Sequence, residues 1–194
     1  MAVASNMPAL GNQATTFDLP IANPWIDDQQ GETRSMAAYD AADVLVVVFT
    51  CNHCPYAIHV EAELIQIAKA YAARGVQFVA ISSNDPAQYP TDSFDHMAVR
   101  AKEHAYPFPY LWDKTQEIAH AYGAACTPDF FVYDANRTLA YRGRMDETRP
   151  GLGDAHGSEL KAALDLILET GKGPAQQHPS MGCSIKWYPG NAPA

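Results

Sequence analysis

Cys51-Asn52-His53-Cys54 combines residue types and a spacing that can do redox chemistry. Two thiols two residues apart can close and reopen a disulfide, and the attacking species in that exchange is the thiolate. The motif directly follows Val44-Leu45-Val46-Val47-Val48-Phe49 and directly precedes an amphipathic stretch. That order predicts a strand-to-helix junction. Unsatisfied N–H groups and the helix dipole there favour a thiolate, which makes Cys51 the candidate nucleophile. Cys54, one helical turn further in on the same face, is expected to be more buried and to resolve a mixed disulfide on Cys51. His53 beside the sulfur is expected to stabilise the Cys51 thiolate, favouring the reduced form and making the couple more oxidising. The same residues also read as half of a zinc site or as two unrelated cysteines, and His53 as an untuned surface histidine.

The elements that must hold this dithiol follow from periodicity. Val44 to Phe49 is an unbroken apolar run rich in β-branching, the pattern of a strand covered on both faces. Pro55 fits the first helical turn, and Ala57, Val60, Leu64, Ile67, Ala68 and Tyr71 recur at helical steps until Arg74-Gly75, giving about five turns. Val76 to Ser82 is the next strand, so residues 44–82 form a β-α-β unit with the dithiol at the carboxyl end of its first strand, where open α/β sheets place their sites. Thr91-Asp92-Ser93 is expected to cap a helix over 93–104, and Asp113 to Gln116 resembles a capping box before a short helix ending at Gly123. Phe130 to Tyr133 and Leu139 to Arg142 read as an antiparallel hairpin, and Ser158 to Leu168 as a final helix stopped by Gly171. The core order β-α-β-α-β-β-α predicts an α/β fold, a central mixed sheet with helices on both faces. Residues 8–43 read as an extended lead-in or hairpin adding strands at one side.

Composition narrows the partners. With 194 residues, 47% of them hydrophobic, the chain suits one well-filled core, read as a domain over 1–171 and a tail over 172–194. The tail holds Ile185, Trp187 and Tyr188 among Gly, Pro and Gln, and is expected to pack back on the domain. A net charge of −9 without a Lys/Arg cluster argues against nucleic acid. The absence of a basic, apolar start or of about eighteen consecutive apolar residues predicts no export signal and no membrane span. Four cysteines are too few for a disulfide scaffold, which fits a reducing, cytoplasmic setting. The acidic group Asp85, Asp92, Asp95 with His96 reads as caps and solvated charges ahead of a metal site.

Cys51-Asn52-His53-Cys54-Pro55-Tyr56, Thr127-Pro128 just before a strand, and the hairpin and helix that follow resemble a thioredoxin-fold redoxin over roughly residues 8–171. The branch resembled groups alkyl-hydroperoxide-reductase/thiol-specific-antioxidant-like domains with membrane-tethered thiol-reductase-like ones. Cys126 to Phe131 and the tail Gly182-Cys183-Ser184-Ile185-Lys186-Trp187 are similar to a bacterial subgroup of that family. The resemblance implies a cis peptide at Pro128 packed on the dithiol, and a substrate-binding lip made by Thr127 and Pro128. It also agrees with an oxidising role for His53. The chain departs from the pattern at three positions. Thr50 stands where thioredoxins have tryptophan, Leu45 replaces their buried acid, and Val48 replaces the threonine that a peroxiredoxin mechanism requires.

Cys126 and Cys183 remain open to three readings: buried structural thiols, a second redox pair serving Cys51 and Cys54, or ligands of a thiolate metal site with Cys51, Cys54 and His53. The expected function is thiol–disulfide oxidoreduction on protein or small-molecule disulfides and dithiols, with a thioredoxin- or glutathione-type reductant and no cofactor. A thiol peroxidase and a thiolate metal-binding protein are the alternatives.

Overall fold

Val44 to Phe49 is buried at every position, each side chain 0–1% exposed, because it forms the middle strand of a sheet covered on both faces. A computed structural model of the chain describes residues 2–27, 29 and 31–193. In chain order its elements are β1 (Ala2–Ala4), β2 (Asp18–Pro20), β3 (Thr33–Ser35), β4 (Val44–Phe49), α1 (Pro55–Ala72), β5 (Val76–Ser82), α2 (Phe94–Glu103), β6 (Tyr110–Trp112), α3 (Glu117–Tyr122), β7 (Cys126–Thr127), β8 (Asp129–Tyr133), β9 (Leu139–Gly143), α4 (Ser158–Thr170) and β10 (Met181–Ser184).

The main sheet runs β6-β5-β4-β8-β9. β4 pairs in parallel with β5, from Val44↔Val76 to Phe49↔Ile81, and β5 with β6 likewise, while β8 and β9 are antiparallel. The two-residue alternation of a strand divides β4 between two cores. Val44, Val46 and Val48 pack with Leu64 and Ile67 of α1, Met97 of α2 and Leu160 and Leu164 of α4. Leu45, Val47 and Phe49 pack with Tyr122 of α3, Phe131 and the N-terminal residues Phe17 and Leu19. This is a thioredoxin-like α/β fold, and the ends of β4, β5 and β6 open onto one edge of the sheet, where Cys51 sits.

Four local expectations need correction. β2 and β3 make a separate two-stranded sheet, tied to β6 of the main one by the Ile21↔Leu111 bridge and by Ala22 N donating to Tyr110 O at 2.8 Å. β6 belongs in the core order and was missing from it; at three residues it is too short to show a period. Asp113 does not cap α3 as a capping box. It is not the N-cap residue: that position is Gln116, in a left-handed conformation, and the Asp113 carboxylate accepts from Ala119 N in the first turn at 2.9 Å from three residues further back. Residues 172–194 are not wholly irregular, since β10 pairs antiparallel with β7 on one side and β1 on the other.

Candidate active site

The dithiol stands where β4 gives way to α1. The helix begins at Pro55, so Cys54 occupies its N-cap, and Ala57 N–H, in the first turn, is directed at the Cys54 sulfur. The helix end therefore serves Cys54, not Cys51 as the sequence pattern suggested. Both are thiols and both are inside, Cys51 3% and Cys54 0% exposed, so burial separates them little. Cys54 Sγ lies 3.1 Å from Thr127 O, within reach as an S–H donor whenever it carries a proton, and Cys51 Sγ lies 3.3 Å from Thr127 Oγ1. The Thr127–Pro128 peptide is cis. One residue thus touches both sulfurs.

The two thiols titrate as a unit. The hydrogen bond between them is the largest cause for each: it draws Cys54 down to about 4 and, with burial and the nearby Asp92 charge, pushes Cys51 well above the usual thiol range. Cys183, Thr127 and Ala57 N–H add to the lowering at Cys54, working against its burial. The reduced pair consequently carries one negative charge, centred on Cys54, and one proton, held by Cys51.

His53 faces Cys51 with Nδ1 at 3.8 Å, but the same nitrogen is 2.5 Å from Asp92 Oδ2. Asp92 is fully buried and also accepts from Asn52 N at 2.8 Å, His53 N at 3.2 Å and Asn84 Nδ2 at 2.8 Å. It is neither a cap of α2 nor a solvated charge. Its charge raises the Cys51 thiol, so the expectation that His53 alone stabilises a Cys51 thiolate needs Asp92 added with the opposite sign. Tyr89 stacks on the His53 ring at 3.8 Å, and Lys186 stands over Tyr89 at 5.4 Å. Sequence reasoning missed Asp92 and Tyr89 as site residues. The available signal was their position after β5, on the same sheet edge as the dithiol.

The lip expected at Thr127 and Pro128 is occupied. β10 lies along β7 with Cys183 opposite Thr127 and Ser184 opposite Cys126. Residues opposite one another share a face and neighbours along a strand do not, so Cys183 points with Thr127 toward the dithiol while Cys126 points away. Cys183 packs against Cys51, Cys54 and Ala57. Cys126 is fully buried, donates to Pro128 O at 3.7 Å, and is raised far above the usual thiol range by burial and then by Asp129. The fold therefore separates the possible pair Cys126 and Cys183 and gives Cys183 to the dithiol. A cavity of about 230 Å³ lies beside Pro128, lined by Tyr56, His59, Met145, Thr148 and Met181 at the start of β10. Ligand atoms of Cys51, His53 and Asp92 lie within 4.8 Å of one another, a set that could hold a metal ion.

The chain belongs to the AhpC/TSA family, whose model matches residues 10–142. It is similar to the crystal structure of an uncharacterized conserved protein from Geobacillus kaustophilus, 46% identical over 97% of each chain with a TM-score of 0.91. A hypothetical protein from Sinorhizobium meliloti is 40% identical over 96% of this chain and 99% of its own, with a TM-score of 0.90. Peroxidoxin BcpB from Mycobacterium tuberculosis shares the fold at 20% identity, over 81% of this chain and 97% of its own, with a TM-score of 0.60. No curated protein matches. Membership of the family supports a thiol-based redox enzyme acting on thiol or disulfide substrates.

Proposed function

We propose that the protein is a thiol–disulfide oxidoreductase whose working couple is Cys51 and Cys54. The observation that carries this reading is the single residue Thr127, which contacts both sulfurs, one through its carbonyl and one through its hydroxyl. When the shared proton crosses from Cys51 to Cys54, Cys51 becomes the attacking thiolate. The Cys54 S–H then has Thr127 O as its acceptor, and Thr127 Oγ1 can donate to the charge left on Cys51. Attack on a substrate disulfide forms a mixed disulfide at Cys51 and releases one substrate thiolate. Cys54, after losing its proton, attacks Cys51 Sγ and releases the second, leaving the Cys51–Cys54 disulfide. A thioredoxin-type dithiol, or two glutathione-type thiols that leave joined as a disulfide, reverses the cycle in a reducing, cytoplasmic compartment. The open cavity beside Pro128 suits a small disulfide or one side chain of a larger one.

The test is equilibration of metal-free protein in glutathione buffers of stepped ratio, followed by alkylation and mass spectrometry of each cysteine peptide. Cys51 and Cys54 should lose their labels together as a two-electron couple. If they never pair at any ratio, the redox cycle is wrong.

A metal-binding reading draws on the Cys51, His53 and Asp92 set. It requires metal retained through purification and thiols hidden from alkylation until a chelator is added. Rapid peroxide consumption with a sulfenic acid at Cys51 would instead support a thiol peroxidase, although Val48, on the strand leading into the motif, supplies no hydroxyl to such a site.

A further inference from the structure

β10 sits where an extended substrate would have to pair, on the backbone edge of β7 beside Pro128. The seating depends on Gly182. A Cβ there would stand 1.9 Å from Thr127 O and 2.6 Å from Thr127 C, so no other residue fits without moving the strand. The next residue, Cys183, is opposite Thr127 and packs on Cys54. Cys54 thus has a sulfur neighbour on each side, Cys51 from its own loop and Cys183 from the far end of the chain. The tail is fastened beyond this point as well. Ile185 N donates to Ala125 O at 3.1 Å, Lys186 N donates to Asn84 Oδ1 at 2.8 Å, and Ile185 is buried. The strand places a thiol at the dithiol as an incoming substrate's cysteine would be placed.

We propose that Cys183 is a third redox-active thiol, which attacks Cys54 Sγ once Cys51 and Cys54 are joined. This rests on the oxidoreductase reading above, since it needs the Cys51–Cys54 disulfide as its reactant. The Cys54–Cys183 bond forms as the Cys51–Cys54 bond breaks, and the proton given up by Cys183 passes to the departing Cys51 sulfur. No electrons leave the protein, so the disulfide substrate that oxidised the pair is the only oxidant needed. The product is an oxidised protein with a free Cys51 thiol, able to engage a second disulfide before any reductant arrives.

The reduced state holds this exchange in check. Burial first, and then the hydrogen bond with Cys54 and the charge it carries, raise Cys183 to about 11, while Lys186 lowers it. Converting Cys54 to a disulfide removes its charge, and with it that part of the resistance. Cys183 becomes easier to ionise at the stage when its target exists.

The experiment is disulfide mapping of the full chain after limited oxidation with diamide, acid quench and alkylation in denaturant. Wild type should give both the Cys51–Cys54 and the Cys54–Cys183 linked peptides. Cys51→Ser should give Cys54–Cys183 alone, with the Cys183 label lost and the Cys126 label unchanged. Should Cys51→Ser be too unstable to isolate, Cys51→Ala and the wild-type map make the same test. A Cys183 that keeps its label in wild type and in the Cys51 variants overturns the proposal, while a Cys51–Cys54 peptide in that same wild-type map would leave the oxidoreductase reading standing. Absence of Cys51–Cys54 from wild type overturns both.

Discussion

The Asp92 carboxylate accepts from three N–H donors, Asn52 N, His53 N and Asn84 Nδ2, and meets His53 Nδ1 as well. An amide in its place has one acceptor oxygen and two hydrogens that would face other N–H groups. Asp92→Asn should therefore cost about 1–3 kcal/mol of stability by urea unfolding. The same change removes a negative charge that raises the Cys51 thiol. Cys51 should then ionise at lower pH and be alkylated severalfold faster near neutrality; an unchanged profile of Cys51 labelling against pH would sink this account of the His53–Asp92 pair. The proton count of the dithiol gives a second test. With Cys54 drawn down to about 4 and Cys51 raised, the reduced pair at neutral pH holds one proton. Forming it from the disulfide takes up one proton per two electrons, so the potential should fall by about 30 mV per pH unit between pH 6 and 8, against about 59 mV for two protonated thiols. The steeper slope would show that both sulfurs keep their protons.

At the scale of elements, the close approach of β10 to β7 has a single weak point. Gly182→Ala puts a methyl group into Thr127 O, and backbone cannot give way as a flexible side chain can. The strand should shift off the edge, and Cys183 should be alkylated faster in the native protein while the main sheet keeps its far-UV signal. Equal labelling rates in the two proteins would mean that other contacts seat the strand. The elements that position the dithiol were legible because each carries its own local signal. β4 is a continuous apolar run, α1 has apolar side chains at helical steps between Pro55 and Gly75, and α4 ends at Gly171. β10 carries none, since Met181-Gly182-Cys183-Ser184 neither alternates nor contains a β-branched residue, and its pairing comes from a segment over fifty positions away. Asp92 was misread for a related reason. An aspartate just before a helix is usually a cap, and only the fold brings it to His53, 39 positions earlier. Thiol chemistry could be read from spacing, but which thiol meets which could not.

Over the whole molecule, the two ends of the chain close over the site as β1 and β10, and the strength of that closure decides what substrates can reach Thr127. The tail sets one deeply buried apolar side chain, Ile185, good for about 1.5–3 kcal/mol, and buries the hydroxyl-bearing Ser180. It adds hydrogen bonds such as Asp85 N to Lys186 O, Tyr188 N to Gln116 Oε1 and Gln88 Nε2 to Trp187 O, each worth about 0.5–1.5 kcal/mol net. These contacts are few beside those of β4, where every side chain is buried in one of the two cores. The tail should therefore open in a sub-global step that leaves the main sheet intact. In rising urea, Cys183 should become fully labelled at concentrations where the far-UV signal is still native. Ile185→Ala, at about 2–5 kcal/mol, should bring that labelling to lower urea with a much smaller change in the midpoint of the sheet. Each opening frees the backbone of Thr127, an unpaired edge that an external extended chain can join. If Cys183 is labelled only as the sheet unfolds, tail and sheet form one cooperative unit. The enzyme would then be confined to substrates that enter by the cavity beside Pro128.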